Sequence, residues 1–319
     1  MGHATTLVST HLSALLRRRA AAFAEELPRA VDGEPRAIHQ ARVASRRLRE
    51  ILPIVGVASG IDVGGLRRDV RKVTRSLGRI RELDVTAKRL RTAAREWRWP
   101  LALVERIERG RAADRADQLA ATSDRYSDQA IARLLGDLDA LVGRDDLNTD
   151  IRAANAHLAL QLRRRVRRFT AALDRAGTIY AREQLHQVRI AAKKLRYTLE
   201  IVREGAGVPI GREIARVRAL QTLLGDLHDL QGLQARILTA ATQPGLDRSE
   251  VKAMERWQRR IETACRELHA RFVRQRPALH RLAASLASDT LFQFVDRRPR
   301  RMVVARAAVV RRGARGARR

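Results

Sequence analysis

Two short segments hold the residues best suited to chemistry. His39, Arg42, Arg46 and Arg49 follow one another at intervals of three and four, and so do His186, Arg189, Lys193 and Arg196. At 100° per residue each set falls within about 80° of one helix face and forms a cationic stripe. Ala44, Leu48, Ile51 and Val55 lie on the opposite face of the first segment, and Ala191, Leu195 and Thr198 on that of the second. Arg47 and Lys194 flank the stripes. A solvated helix face ordinarily mixes signs, yet neither stripe contains an acid. Like charges at this spacing destabilise an isolated helix, and a shared anion would offset that repulsion. Guanidinium forks match phosphate oxygens bidentately, and ammonium adds a point charge. A histidine bonded to phosphate would favour its protonated form. The chemistry indicated is capture of a phosphate-rich polyanion.

Further basic rows are candidates of lower rank. Arg71, Lys72, Arg75 and Arg79 follow Arg68 at helical spacing; in the second half only Arg218 remains, opposite Arg71, while Thr222 and Asp226 stand opposite Arg75 and Arg79. The clusters around Arg18 and Arg164 are also repeated, but consecutive residues point around a helix, so at most one or two of each could face a ligand.

Reactive chemistry has little support. Neither stripe itself holds a second histidine or an acid within a turn, so no metal site is expected. A Gly-rich phosphate loop with Lys-Ser/Thr and a Gly-x-Ser-x-Gly elbow are both missing, as is a carboxylate set for Mg²⁺ on these faces. Cys265 is the only cysteine, which rules out an intramolecular disulfide. The expectation is a binding protein, without catalytic residues or a cofactor.

The elements that must position these residues are helices. Aromatic residues make up 3% of the 319, alternating Val/Ile/Thr runs are missing, and Ala, Leu, Arg and Glu recur with apolar residues three and four apart. The fold class is all-α. Breaks are expected near Pro28–Pro35, Gly56–Gly65, Trp99-Pro100, Gly143–Asp150, Gly205–Pro209, Gln243–Gly245 and Pro277. With 65 Lys+Arg against 35 Asp+Glu, the net charge is +30, and nearly all the cations are Arg. A surplus of this size attracts nucleic acid, anionic membranes or phosphate polymers alike. The most apolar stretch, Ile51 to Leu66, holds Pro53 and Asp62 and is too short to span a bilayer. A cytoplasmic protein is expected.

The chain repeats itself. His11 to Arg19 matches His157 to Arg165, and Phe23 matches Phe169, at an offset of 146 residues. Ile38 to Arg49 matches Leu185 to Arg196 at an offset of 147, as does Leu77-Gly78 with Arg81-Glu82-Leu83 against Leu224-Gly225 with His228-Asp229-Leu230. Two pseudo-symmetric, antiparallel helical bundles follow, near residues 4–142 and 150–289, within one unit spanning 1–290. Residues 291–319 form a basic tail expected to be disordered and to bind polyanions without selecting among them.

The blocks His39-x-x-Arg42-Val43-x-x-Arg46-Arg47-x-Arg49 and His186-x-x-Arg189-Ile190-x-x-Lys193-Lys194-x-Arg196-Tyr197 resemble the signature helices of the CHAD domain, the histidine-bearing α-helical domain. Leu77 to Val85 and Leu224 to Leu230 resemble the turns that follow in each half, with Glu82 where the family more often has Asp. The resemblance covers about residues 5–290. It implies paired bundles with a basic groove or pore between them that binds inorganic polyphosphate. His39, Arg42, Arg46, Arg47 and Arg49 would supply one wall, and His186, Arg189, Lys193, Lys194 and Arg196 the other. Tyr197 would pack against or hydrogen-bond a neighbour. Attachment to polyphosphate granules would follow from such binding. The alternatives are a general nucleic-acid binder, which eleven aromatics equip poorly for base stacking, and a scaffold on the surface of an inclusion body. Weak nucleic-acid binding at low salt is expected in any case.

Overall fold

The computed structural model describes residues 3–97, 99, 101–145, 147, 150–242 and 245–288, with side-chain environments from residue 11 onward. The expected tail, 291–319, lies outside the described residues. Among those described, the chain forms helices and no strands: α1 (His3–Val31), α2 (Pro35–Ser59), α3 (Gly64–Glu96), α4 (Leu101–Arg125), α5 (Asp128–Val142), α6 (Ile151–Arg175), α7 (Arg182–Ala206), α8 (Gly211–Ala241) and α9 (Arg248–Ala287).

Local sequence sets most boundaries. Pro35 opens α2 at its first turn, where its missing N–H costs nothing. Gly60 and Gly207 close α2 and α7 in the left-handed region, at φ 72° and 67°. Asp150 caps α6 by accepting from Ala153 N at 2.8 Å, and Asp247 with Glu250 forms a capping box on α9. Both ends of α7 fall 147 residues after those of α2, and α8 begins 147 residues after α3.

Two expectations need correction. Pro277 does not break the chain but sits inside α9. Phe272 precedes it and Leu279, Leu282, Ala283 and Leu286 follow, all buried on one stripe. Burying these side chains at about 1.5–3 kcal/mol for each large one outweighs the roughly 3 kcal/mol a helix-interior proline costs. Leu77–Val85 and Leu224–Leu230 are not turns either; they lie within α3 and α8. Leu77, Ile80, Leu83, Ala87 and Leu90 are buried at helical spacing, so the apolar stripe carries the helix straight through Gly78. Two breaks went unforeseen, and one of them, at 176–181, separates α6 from α7. Ser127 accepts from Ala130 N and starts α5, dividing the segment that faces the unbroken α9 in the repeat.

The core has two parts. The larger joins α1, α2, α5, α6 and α7 with the early turns of α3 and α8 and the end of α9, around the fully buried Phe23, Phe169 and Phe272. The smaller joins the far ends of α3, α4, α8 and α9, where Trp99 stacks on Trp257 with ring centroids 3.8 Å apart. Both α3 and α8 run from one part to the other.

The exposed Pro277 ring loses no packing when truncated. Pro277→Ala restores a backbone donor and should stabilise the protein by about 1–3 kcal/mol, a gain reduced somewhat by the freer unfolded chain. A urea denaturation midpoint that falls would show that the proline sets the course of α9.

Candidate functional site

Where the two cores part, α2, α3, α7 and α8 enclose a cleft of about 170 Å³. Arg42 and Arg46 enter from α2, Arg189 and Lys193 from α7, Arg81 and Glu82 from α3, and His228 and Asp229 from α8. These form four pairs 147 residues apart: Arg42 with Arg189, Arg46 with Lys193, Arg81 with His228 and Glu82 with Asp229. Val85 and Gly232 make a fifth. Each stripe reaches the cleft because the buried side of its helix fixes the helix's rotation. Ala41, Leu48 and Ile51 on α2 and Val188, Leu195 and Leu199 on α7 are fully buried on the other side.

One side chain is held especially closely. Arg42 Nη1 donates to Thr74 O at 3.0 Å, and the guanidinium lies over Gly78. A Cβ at position 78 would stand 2.3 Å from Arg42 Nη1, so glycine there makes room for the cation. Gly225, its counterpart, has nothing within 4 Å.

Burial and mutual repulsion act together on the cations. Lys193 is pushed down to about 7, first by burial and then by Arg46, Arg189, Arg42 and Arg196. His228 is pushed down to about 4, by burial and then by Arg189, His186 and Lys193, and so is neutral at neutral pH. Arg42 and Arg189 are lowered for the same leading reason; Arg46 and Arg81 add to it at Arg42, and Asp229 opposes it at Arg189. Burial raises Asp229 against the pull of Arg89, whose Nε lies 3.6 Å away. Arg89 also pairs with Asp226, tying α3 to α8 beside the cleft. The cleft gathers partly buried cations from four helices with two carboxylates among them.

The CHAD domain model matches residues 14–238 of this chain. The chain belongs to the CHAD domain family. Two uncharacterized proteins of Mycobacterium tuberculosis strains, MT2285 and Rv2226, are each 28% identical to it over 261 residues. That alignment covers 73% of this chain but 48% of theirs, so the chain spans about half the length of these curated relatives. Among solved structures, the CHAD domain from the plant Ricinus communis superposes with a TM-score of 0.60 at 19% identity, covering 84% of this chain and 91% of that one. PptA from Streptomyces chartreusis gives 0.61 at 16% identity, covering 84% and 98%. These two similarities establish the all-α CHAD fold.

Within this CHAD domain the remaining expected site residues scatter. His39 is exposed at the start of α2 and is lowered by burial, then by Arg81, Arg42 and Arg46. The His186 ring tilts against His228 with centroids 5.3 Å apart. Arg47 and Arg196 lead away from the cleft: Arg47 Nε lies 3.1 Å and Arg196 Nη1 2.9 Å from carboxylate oxygens of Glu200, itself buried. Tyr197 is buried under the Arg196 guanidinium, 4.7 Å from the ring centroid, a packing role in keeping with the expectation. Arg49 and Lys194 sit where α2 approaches α6 and α7. Arg49 is lowered by burial against the pull of Glu50, and by Arg71, Arg67 and Arg46; Lys194 is lowered by burial and by Arg165.

Among the lower-ranked candidates, Arg71, Lys72, Arg75, Arg79, Arg164 and Arg218 are exposed. Lys72 pairs with Asp69 at 2.7 Å, and Arg18 reaches Glu204 at 3.6 Å. None of these seven lines the cleft. Sequence reasoning missed Arg81, Glu82, His228 and Asp229 as cleft residues. The signal was present in the matched 81–83 and 228–230 blocks, which were read as turns.

Glu200, itself buried, holds two guanidinium groups. Replacing it by Gln leaves both cations partly unpaired and should destabilise the protein by about 2–3 kcal/mol, since breaking a buried pair leaves an uncompensated charge. Unfolding measured by circular dichroism checks this. A loss below about 0.5 kcal/mol would mean that Arg47 and Arg196 are satisfied by solvent.

Proposed function

We propose that this chain is a duplicated pair of helical bundles whose shared basic cleft binds linear inorganic polyphosphate without hydrolysing it. The observation that carries this reading is the convergence of Arg42 and Arg46 from one half and Arg189 and Lys193 from the other on a single cleft. Four cations that repel one another in a desolvated space need an anion to balance them. Phosphate chemistry supplies one, and the planar Arg forks suit its oxygens. Binding without turnover is favoured because Glu82 and Asp229 are set among arginines, and Arg89 already engages Asp229. Association with polyphosphate granules inside the cell would follow from such binding.

Double replacement of Arg42 and Arg46 by Ala should weaken polyphosphate binding at least about tenfold, since charge-assisted hydrogen bonds contribute about 1.5–3 kcal/mol each. The same change at Arg189 and Lys193 should cost a comparable amount. Arg109 and Arg133 are exposed and provide the charge-matched control. Titrations at about 0.15 M salt, against polyphosphate and against single- and double-stranded nucleic acid, decide the ligand. Tighter binding of nucleic acid, or a control that weakens binding as much as the cleft variants do, would refute the reading.

Affinity should also depend on pH. Lys193 titrates near 7 in the free protein, facing Arg42 and Arg46 from α2, Arg189 and Arg196 on its own helix and neutral His228 from α8. A bound polyanion raises that value, so binding takes up a proton once the pH exceeds 7. The Lys193 contribution is therefore complete below about pH 7 and is lost as pH rises through the higher value of the complex. Affinity should fall between pH 6.5 and about 9 in the native protein and stay flatter in Lys193→Arg, as isothermal titration calorimetry in buffers of different ionisation enthalpy would show. Equal slopes for the two proteins would rule out Lys193 as the titrating group.

A further inference from the structure

Outside the cleft, each half carries a second cavity between its first two helices, and the two cavities differ in charge. In the first half, about 250 Å³ between α1 and α2 is lined by Arg18, Arg19 and Arg47 together with Glu25, Glu26 and Glu204. In the second half, about 360 Å³ between α6 and α7 is lined by Arg165, Arg168, Arg175 and Lys194 and by no carboxylate. The positions correspond: Gln40, Val43, Ala44 and Arg47 in one are Gln187, Ile190, Ala191 and Lys194 in the other. Glu25 and Glu26 are replaced by Ala171 and Ala172, and Ala22 by Arg168.

The routes from the cleft to these cavities differ in the same sense. Along α7, Arg196 follows Lys193 but is held by Glu200, which also holds Arg47; beyond it Arg18 and Arg19 face Glu204 at 3.6 and 4.0 Å. Acids neutralise that route. Along α2, Arg49 follows Arg46, and its neighbourhood continues to Lys194, Arg165 and Arg168, whose charges reach one another. Glu50 is the acid on this side, bonded to Arg165 at 3.0 Å and to Gln161 at 2.7 Å. Arg165 Nε is buried and unpartnered even so, and among the described residues no carboxylate pairs with Arg168, Arg175 or Lys194.

We propose that the α6–α7 cavity is a second anion site, which takes the part of a condensed-phosphate chain that overhangs the cleft, so that a long chain leaves the cleft toward the second half and not toward the first. The inference rests on the cleft reading and adds a direction and a length dependence to it. A phosphate oligomer short enough to fit the cleft has no use for the cavity, whereas a longer one gains contacts that its mirror image cannot offer.

The experiment compares tripolyphosphate with long-chain polyphosphate on the full chain, by competition against a labelled long chain. Arg168 and Arg175 are exposed, so Arg168→Glu with Arg175→Glu leaves two carboxylates against Arg165 and Lys194, cancels the cavity's charge and breaks no ion pair. Arg256→Glu with Arg260→Glu, on the exposed face of α9, makes the same change in net charge elsewhere. Affinity for the long chain should fall at least about tenfold in the cavity variant, and that for tripolyphosphate by less than about twofold. The α9 variant should lower both equally and by less. Should the reversed charges impair folding, Arg168→Gln with Arg175→Gln gives the same test with a smaller expected loss. A cavity variant indistinguishable from the α9 variant overturns the proposal, and so does an equal loss for the short and long chains. If the native protein binds neither polymer, the cleft reading fails first, and this is seen before any variant is made.

Discussion

Repulsion among cations held in a poorly solvated space is the constraint around which this domain is organised. Two unit charges 4 Å apart repel by about 1 kcal/mol in water and about 4 kcal/mol at the effective dielectric of a protein surface. Arg42, Arg46, Arg189 and Lys193 would separate if their helices were free to rotate. They are not free, because each large side chain buried on the opposite face contributes about 1.5–3 kcal/mol. Leu48, Ile51 and Leu52 on α2, and Val188, Leu195 and Leu199 on α7, together supply burial energy of the order needed to hold that repulsion. The apolar core thus sets the phase of each helix, and the phase forces the cations together.

This explains why part of the site could be read from the sequence. A hydrophobic stripe and a cationic stripe on one helix are the same periodic fact seen from two sides, so Arg42, Arg46, Arg189 and Lys193 were legible from spacing alone. The internal repeat and the resemblance added the second wall and the CHAD family, which the match over residues 14–238 establishes. Arg47 and Arg196 show where such reading stops. At 100° per residue Arg47 is turned about 140° from Arg42, and it faces α1 and α7 instead of the cleft. Arg196 does belong to its stripe, but Glu200, one turn further on, falls on the same face and captures it. A helical wheel that ended at Arg196 showed an acid-free stripe; carried on for one more turn, it would have contained Glu200.

Other omissions have a different cause. Arg81 and His228 belong to helices that meet only in three dimensions, and no periodicity within α3 or α8 indicates which partner each will face. Glycine was also taken as a break. Gly78 lies inside a helix whose neighbours at Leu77 and Ile80 are fully buried, and it is small because the Arg42 guanidinium occupies the space a Cβ would need. In this protein that glycine is part of the cationic site even though it carries no charge of its own.

The two walls, similar in plan, are built from different bases. One presents Arg42, Arg46 and Arg81, three guanidinium groups. The other presents Arg189 with Lys193 and His228 at the positions of Arg46 and Arg81, and burial has brought these last two down to about 7 and about 4. An all-arginine cleft would carry its full repulsion whether or not it was occupied. On the proposed reading, the second wall gives up charge while the cleft is empty, which relieves the repulsion, and Lys193 takes up a proton when polyphosphate binds. On that reading the arginine wall supplies the standing attraction for the chain, and the wall that carries Lys193 reduces the strain of keeping the cleft open.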